Sequence, residues 1–272
     1  MVFVSSTFED LEAERNALQR YVFTRLAEYC ATKKARFQAI DLRWGVSREA
    51  SLDQRAMDVC LTEIERCQSQ KLKPNFIVLL GDRYGWRPLP ARVGSEEFVQ
   101  IFSVVPEEDA GLLLWAEGQP ADAKGWYRRD DNAVPAAYVF RPREVTVPEG
   151  ASTEERKAAS EAEYEAWKKT EPKLWAILLR AVESLGWSAE DPLRATYVDS
   201  ATAQEIVHGA LRPADAAQHV FAFFRSETGG AWQSIHCGRN RREPREGRAH
   251  RTHRGCTQRQ TWREDWQCAH RR

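Results

Sequence analysis

The chain has 272 residues, 42% of them hydrophobic, and its 40 basic and 40 acidic side chains balance to a formal net charge of +0. That length allows one or two domains, and that composition supports a packed core and is unlike that of a membrane protein. No apolar run approaches the roughly 20 residues that span a bilayer, and no basic leader precedes the first apolar run. A cytoplasmic protein without a signal peptide or membrane segment is therefore expected.

The first element is a short strand, Val2-Phe3-Val4, which runs through Ser5, Ser6 and Thr7 into a helix from about Phe8 to Cys30. Thr7 is placed to cap that helix, with Asp10 as the acid of a capping box. Leu11, Leu18, Val22, Leu26 and Tyr29 recur at helical spacing and predict its buried face. A second strand, about Phe37 to Leu42, exits into Arg43-Trp44-Gly45. Ser51 and Gln54 resemble a capping box for a helix over about Leu52 to Gln68. Pro74-Asn75 precedes the most apolar strand, Phe76 to Leu80, which reads as covered on both faces. It ends in Gly81-Asp82-Arg83-Tyr84-Gly85, an ordered loop.

From Pro88 to Gly150 the pattern is irregular, with a short helix over Glu96–Val104 and a polar aromatic cluster from Trp126 to Asn132. It shows too little continuous apolar pattern for a core of its own and is read as an elaboration, extending to about residue 190, of one domain over 1–230. A long helix over Glu154–Leu185 is expected to break at Pro172. Ala195–Asp199 is a strand candidate. Thr202 and Glu205 form a capping box for a helix through Leu211. The last strand is Val220 to Phe224.

Beyond about residue 231 arginine is common, lysine is absent and no apolar period survives. Cys237 to Arg272 hold 11 arginines and four acids, which leaves 29 basic and 36 acidic residues in 1–236, a net of −7. The tail reads as disordered and as foreign in composition, as a shifted reading frame would be. Its histidines and cysteines match no compact zinc-finger spacing. The acidic body argues against nucleic-acid binding by 1–230.

Alternating strands and helices over 1–225 predict an α/β fold of three layers, a mostly parallel sheet with helices on both faces and a helical insertion. Val2-Phe3-Val4-Ser5-Ser6-Thr7-Phe8-Glu9-Asp10 with Glu14-Arg15, then Asp41-Leu42-Arg43-Trp44-Gly45-Val46, then Cys60-Leu61-x-Glu63 and Leu79-Leu80-Gly81-Asp82-Arg83-Tyr84-Gly85-Trp86, occur in order. With Trp126-Tyr127-Arg128 and Ala203-x-Glu205-Ile206, they resemble the TIR-like N-terminal domain of unknown function found in NACHT and other STAND ATPase proteins, WD-repeat proteins and relatives of telomerase-associated protein 1. The resemblance implies a TIR/flavodoxin-like fold. It also implies a signalling or interaction module whose partners are proteins or fused STAND/NACHT and repeat domains, with a homo-oligomer as a candidate assembly. No P-loop pattern occurs in this chain.

In open α/β sheets ligands bind at the carboxyl ends of strands. Ser5, Ser6, Thr7, Arg43, Trp44, Gly45, Gly81, Asp82, Arg83 and Tyr84 are therefore candidate ligand contacts. The competing reading is caps, loop packing and a structural ion-pair network with Asp41, Asp82 or Glu49. Some TIR domains cleave NAD with a helical glutamate beside the crevice, which makes Glu63 and Glu205 candidate catalytic acids and NAD or another nucleotide a candidate cofactor. Against this stand a surface role for Glu63 and a capping role for Glu205. The alternative to an interaction module is thus an NAD- or nucleotide-processing enzyme. An apolar surface outside the crevice favours the first, and a pocket joining Ser5, Arg43 and Gly81 to a glutamate favours the second.

Overall fold

The computed structural model describes residues 1–7, 10–42, 52, 54–70, 72–116, 125–225 and the backbone of 233–236. Arg43, Trp44, Gly45, the start of the predicted first helix and most of the arginine-rich tail lie outside the described residues.

The apolar runs seen in the sequence form a five-stranded sheet. Its strands are β1 (Val2–Ser5), β2 (Ala39–Ile40), β3 (Phe76–Leu80), β8 (Val220–Phe224) and β9 (Gln233–His236), in the order β2-β1-β3-β8-β9. The first four run parallel, and β9 is antiparallel to β8. β9 thus places backbone structure inside the tail that sequence alone reads as unstructured.

Period-2 alternation divides β1 between two faces. Phe3 joins Ile40, Met57, Cys60, Ile64, Phe76 and Ile206 in one buried cluster. That face is covered by α3 (Ala56–Ser69) and by α8 (Ala201–Ile206) with its wide π-type extension Val207–Leu211. A π-type turn frees carbonyls from the regular ladder. Gln68 Nε2 donates to two of them, His208 O at 3.4 Å and Gly209 O at 3.3 Å. Gly209 has to be glycine, because a Cβ there would overlap the Phe76 ring. We expect Gly209→Ala to cost about 1–3 kcal/mol through overpacking. Urea unfolding checks this, and an unchanged midpoint would remove the packing argument.

The first helix shows why a stripe in a sequence is not yet a buried face. It runs as α1 (Glu12–Ala17), a π-type segment (Leu18–Phe23) and α2 (Thr24–Thr32). The wide turn inserts about one extra residue per turn and rotates everything after it. Leu11 and Arg15 face inward before it, and Phe23, its last residue, faces inward against Phe37, with ring centroids 5.6 Å apart. Val22, Leu26 and Tyr29, predicted to be buried, are exposed, and α2 buries none of its residues.

Residues 88–150 share a second buried cluster with residues from Trp167 to Tyr197. β4 (Arg92–Gly94), β5 (Leu114–Trp115), β6 (Tyr127–Asp130) and β7 (Ala137–Phe140) form a mixed four-stranded sheet ordered β4-β7-β6-β5. α4 (Ser95–Ser103), α5 (Glu107–Leu113), α6 (Thr153–Ser184) and α7 (Pro192–Val198) accompany it. Leu89, Phe98, Tyr127, Phe140, Trp167 and Leu178 are among its buried residues. α6 donates six of the buried side chains, while β4 to β7, α4, α5 and α7 donate no more than two each, so residues 88–150 carry no continuous run that announces the cluster. Phe98 stacks on Tyr138 with centroids 3.8 Å apart.

α6 passes through Pro172 without a break. Proline removes one ladder hydrogen bond, but Trp167 on one side and Leu174, Ile177 and Leu178 on the other are buried and hold both halves in line. The predicted strand at Ala195–Asp199 is instead the end of α7, capped by Asp191 Oδ1, which accepts from Leu193 N at 2.8 Å. No helix among the described residues is long and apolar enough to cross a membrane.

Candidate functional site

The carboxyl ends of β1, β2, β3 and β8 meet the start of the first helix, and the side chains there are charged and mostly buried. Ser5, Ser6 and Thr7 are 0%, 4% and 7% exposed. They line the interior of the fold and not an open crevice.

Strand alternation sends Ser5 to the α3/α8 face, where its Oγ donates to Glu205 Oε2 at 2.5 Å. The Cys60 thiol of α3 hydrogen-bonds the same carboxyl. The capping box read at Thr202–Glu205 is not formed. Ser200 caps α8, its Oγ accepting from Ala203 N at 3.2 Å, and Glu205 in the second turn points inward. Burial is the largest influence on Glu205 and pushes its pKa up to about 7. Hydrogen bonds from Ser5 and Cys60 and the Arg15 charge oppose the shift, and Asp41 adds to it. Burial and Glu205 together push the Cys60 thiol well above its ordinary value, so it is a packed thiol and not a reactive thiolate.

Ser6, on the other side, meets Arg15, which is 2% exposed. Arg15 Nε donates to Ser6 Oγ at 2.5 Å and Nη1 to Asp41 Oδ1 at 2.8 Å. Nη2 reaches the carbonyls of Val4 at 3.2 Å and Ser6 at 3.3 Å. One guanidinium thereby ties the ends of β1 and β2 together, using the planar fork that lysine lacks.

A third group lies above β3. The Thr7 hydroxyl donates to Asp10 Oδ1, so Thr7 bonds a side chain and not the free helix N–H groups expected of a cap. Arg225 leaves β8 with its N–H on Leu80 O at 2.8 Å and its Nη1 on Glu14 Oε1 at 3.1 Å. Its Nη2 lies 3.7 Å from Asp10 Oδ2. Gly81 makes room for that pair, since a Cβ would run into the Asp10 carboxylate and the Arg225 guanidinium. The chain's own carboxylates and guanidinium therefore span the strand-end position where ligand contacts were expected.

The other predicted residues are spread out. Glu63 pairs with Arg66 at 3.3 Å along α3 and does not join Glu205. Asp82 and Arg83 are exposed. Tyr84 turns towards α7, donating to Asp199 Oδ1 at 3.3 Å, with Arg87 over its ring at 5.0 Å. Sequence reasoning placed Asp41 in a structural ion-pair network but missed Arg15, Cys60, Glu14 and Arg225 as members of the cluster. Arg15 did carry a signal, because a charge four residues after Leu11 and three before Leu18 interrupts an apolar stripe.

Residues 1–102 match the family model described as "Domain of unknown function (DUF4062)". Over these residues the chain is homologous to the DUF4062 family. The chain is 32% identical over 185 residues to mouse NACHT and WD repeat domain-containing protein 2, covering 68% of this chain and 10% of that protein. It is 32% identical over 132 residues to mouse NACHT domain- and WD repeat-containing protein 1, covering 48% and 8%. Rat Telomerase protein component 1 is 39% identical over 87 residues, covering 32% and 3%. The chain spans one tenth or less of the length of these relatives. No solved structure matches.

Proposed function

We propose that this chain is an interaction and signalling module of proteins built like its NACHT and WD-repeat relatives, and that its contact surface is the outer face of α2. The observation that carries this reading is the exposure of Tyr21 and Val22 in the π-type segment and of Leu26 and Tyr29 on α2, which buries none of its residues, at 60%, 43%, 39% and 61%. A large apolar side chain removed from water contributes about 1.5–3 kcal/mol, so four together can drive association. The wide turn at Leu18–Phe23 supports the reading, since it is what carries these residues out of the core. The parallel order β2-β1-β3-β8 supports a TIR/flavodoxin-like topology, whose winding reverses beside β1.

The alternative, NAD or nucleotide processing, requires a carboxylate facing substrate. Glu205 instead engages Ser5 and Cys60 within the fold. Protein partners, in fused domains or in a second copy, are therefore the favoured class.

Sedimentation velocity against concentration, alone and mixed with a NACHT-containing segment of the mouse relative, tests this. We expect a complex in one of the two mixtures and its loss in Leu26→Glu/Tyr29→Glu with an unchanged circular dichroism spectrum. Absence of any complex would sink the proposal. NAD turnover by the same samples that Glu205→Gln abolishes would put the enzyme in its place.

A further inference from the structure

The two faces of the five-stranded sheet are covered unequally. Four parallel strands about 4.8 Å apart span roughly 15 Å, a width that two helices about 10 Å apart cover. α3 and α8 do so on the face that carries Phe3, Phe76 and Val220. Alternation sends Val2, Val4, Ile77, Leu79, Phe221 and Phe223 to the opposite face. The first helix alone follows β1 there, turning Leu11, Arg15 and Phe23 inward, with Arg15 on Val4 O. Val2, Val4 and Leu79 are buried on that face, whereas Ile77, Phe221 and Phe223, towards β8, stay half-buried. Glu14 pairs with Arg225 at the end of β8 at 3.1 Å, so its flank of the first helix looks towards β8. Counting one residue inserted by the wide turn, Phe23 stands about two turns beyond Arg15 and shares its inward side. By the same count Val22, Leu26 and Tyr29 stand about two, three and four turns beyond Glu14, on the β8 flank. The exposed stripe is therefore the wall of a groove whose floor is Ile77, Phe221 and Phe223.

We infer that this groove seats one amphipathic helix of a partner protein, lying parallel to α2 with its apolar stripe on the floor and the wall. The inference rests on the interaction reading above and names the chemistry of its partner. The groove has a polarity. At its head, by the carboxyl ends of the strands, Asp10 and Glu14 share the one Arg225 guanidinium and leave one negative charge among these three. At its foot α2 ends in Lys33 and Lys34, both exposed. A helix carries about half a positive charge at its N-terminus and about half a negative charge at its C-terminus. A helix parallel to α2 therefore meets the opposite charge at each end. From Glu14 to Lys33 the first helix rises about 28 Å, the length of a helix of roughly 19 residues. A second copy of this chain fits the groove poorly. Its own stripe, Val22 to Tyr29, covers only about 10 Å. A two-fold axis across α2 would also bring that helix in antiparallel, with like charges meeting at both ends.

The test mixes the full chain with the NACHT-containing segment of the mouse relative. A benzophenone photo-crosslinker is placed in turn at Ala17, Leu26 and Lys33, and at Tyr164 on α6 as a control, all four exposed positions. Cross-linked peptides are then identified by mass spectrometry. We expect Ala17, Leu26 and Lys33 to reach one helical stretch of the partner, and Tyr164 to miss it. Ala17 should reach the N-terminal part of that stretch and Lys33 its C-terminal part. Should the benzophenone at Leu26 block the complex, Ala17 and Lys33 still report the order. Lys33→Glu/Lys34→Glu should weaken the complex about threefold or more, with an unchanged circular dichroism spectrum. Cross-links to a second copy, to scattered segments or in the reverse order would overturn the inference, as would unchanged affinity in the lysine variant. Each of these leaves the interaction reading standing, whereas absence of any complex overturns both.

Discussion

Arg15→Ala is expected to lower stability by about 3–5 kcal/mol, the cost of breaking a buried ion pair by removing one partner. Arg15 and Asp41 are 2% and 7% exposed at the side chain, and their contact is 2.8 Å. Alanine would leave the Asp41 carboxylate buried near Glu205, and would strip the Val4 and Ser6 carbonyls and Ser6 Oγ of a donor. Arg15→Lys should recover only part of the loss, because an ammonium cannot reach both strand ends from one plane. Asp41→Asn should be costly alone, and Arg15→Ala/Asp41→Asn should cost less than the two single changes added together. Urea unfolding of the four proteins measures this. A loss below about 1 kcal/mol in Arg15→Ala would show that the guanidinium does not hold these strand ends.

The second large effect is a dependence of stability on pH that Glu205→Gln removes. The folded pKa of Glu205 is raised to about 7 from an ordinary value of 4.5. The folded state therefore holds the proton where the unfolded chain has released it. This contribution is fully present below about pH 4.5 and is lost as pH rises through about 7. The span corresponds to about 3 kcal/mol at 1.36 kcal/mol per unit. The difference in unfolding free energy between wild type and Glu205→Gln, followed from about pH 4.5 to about pH 8, should change by that order. Parallel curves would mean that Glu205 is not held protonated. Ser5→Ala, which deletes a hydrogen bond that lowers the Glu205 pKa, should move the transition to higher pH.

Both effects arise in a cluster whose members were only partly legible in the sequence. The Ser5-Ser6-Thr7 run stood out because it ends an apolar strand, and Glu205 because a glutamate follows Thr202 by three residues. Their meeting across 200 residues, with a 2.5 Å hydrogen bond, did not stand out. The local rule for Thr202–Glu205 gave a capping box, but Ser200 takes the cap and leaves the glutamate free to turn inward. Glu63, four residues before the buried Cys67, kept its surface pairing because α3 turns that side away from β1.

The sequence by itself determined the strands that are continuous apolar runs. Phe76–Leu80 and Val220–Phe224 form as read, since a run apolar at successive positions is satisfied in a strand with neighbours on both sides and cover over its faces. It also determined the alternation of strand and helix and the likeness of residues 1–102 to a family. Only the tertiary structure decided three things. The wide turn at Leu18–Phe23 turned Val22 within it, and Leu26 and Tyr29 after it, out to solvent, because one extra residue in a turn shifts the later side chains by about a quarter of a rotation. The second core joins the helical stripe of α6, Leu174, Leu178 and Val182, to one or two residues from each short segment between Leu89 and Phe140, and those short segments carry no period to detect. The strand-end charges found partners inside the chain, because burying Arg15 and Glu205 is tolerable only where Asp41, Ser5 and Ser6 meet them, and only folding brings those groups together.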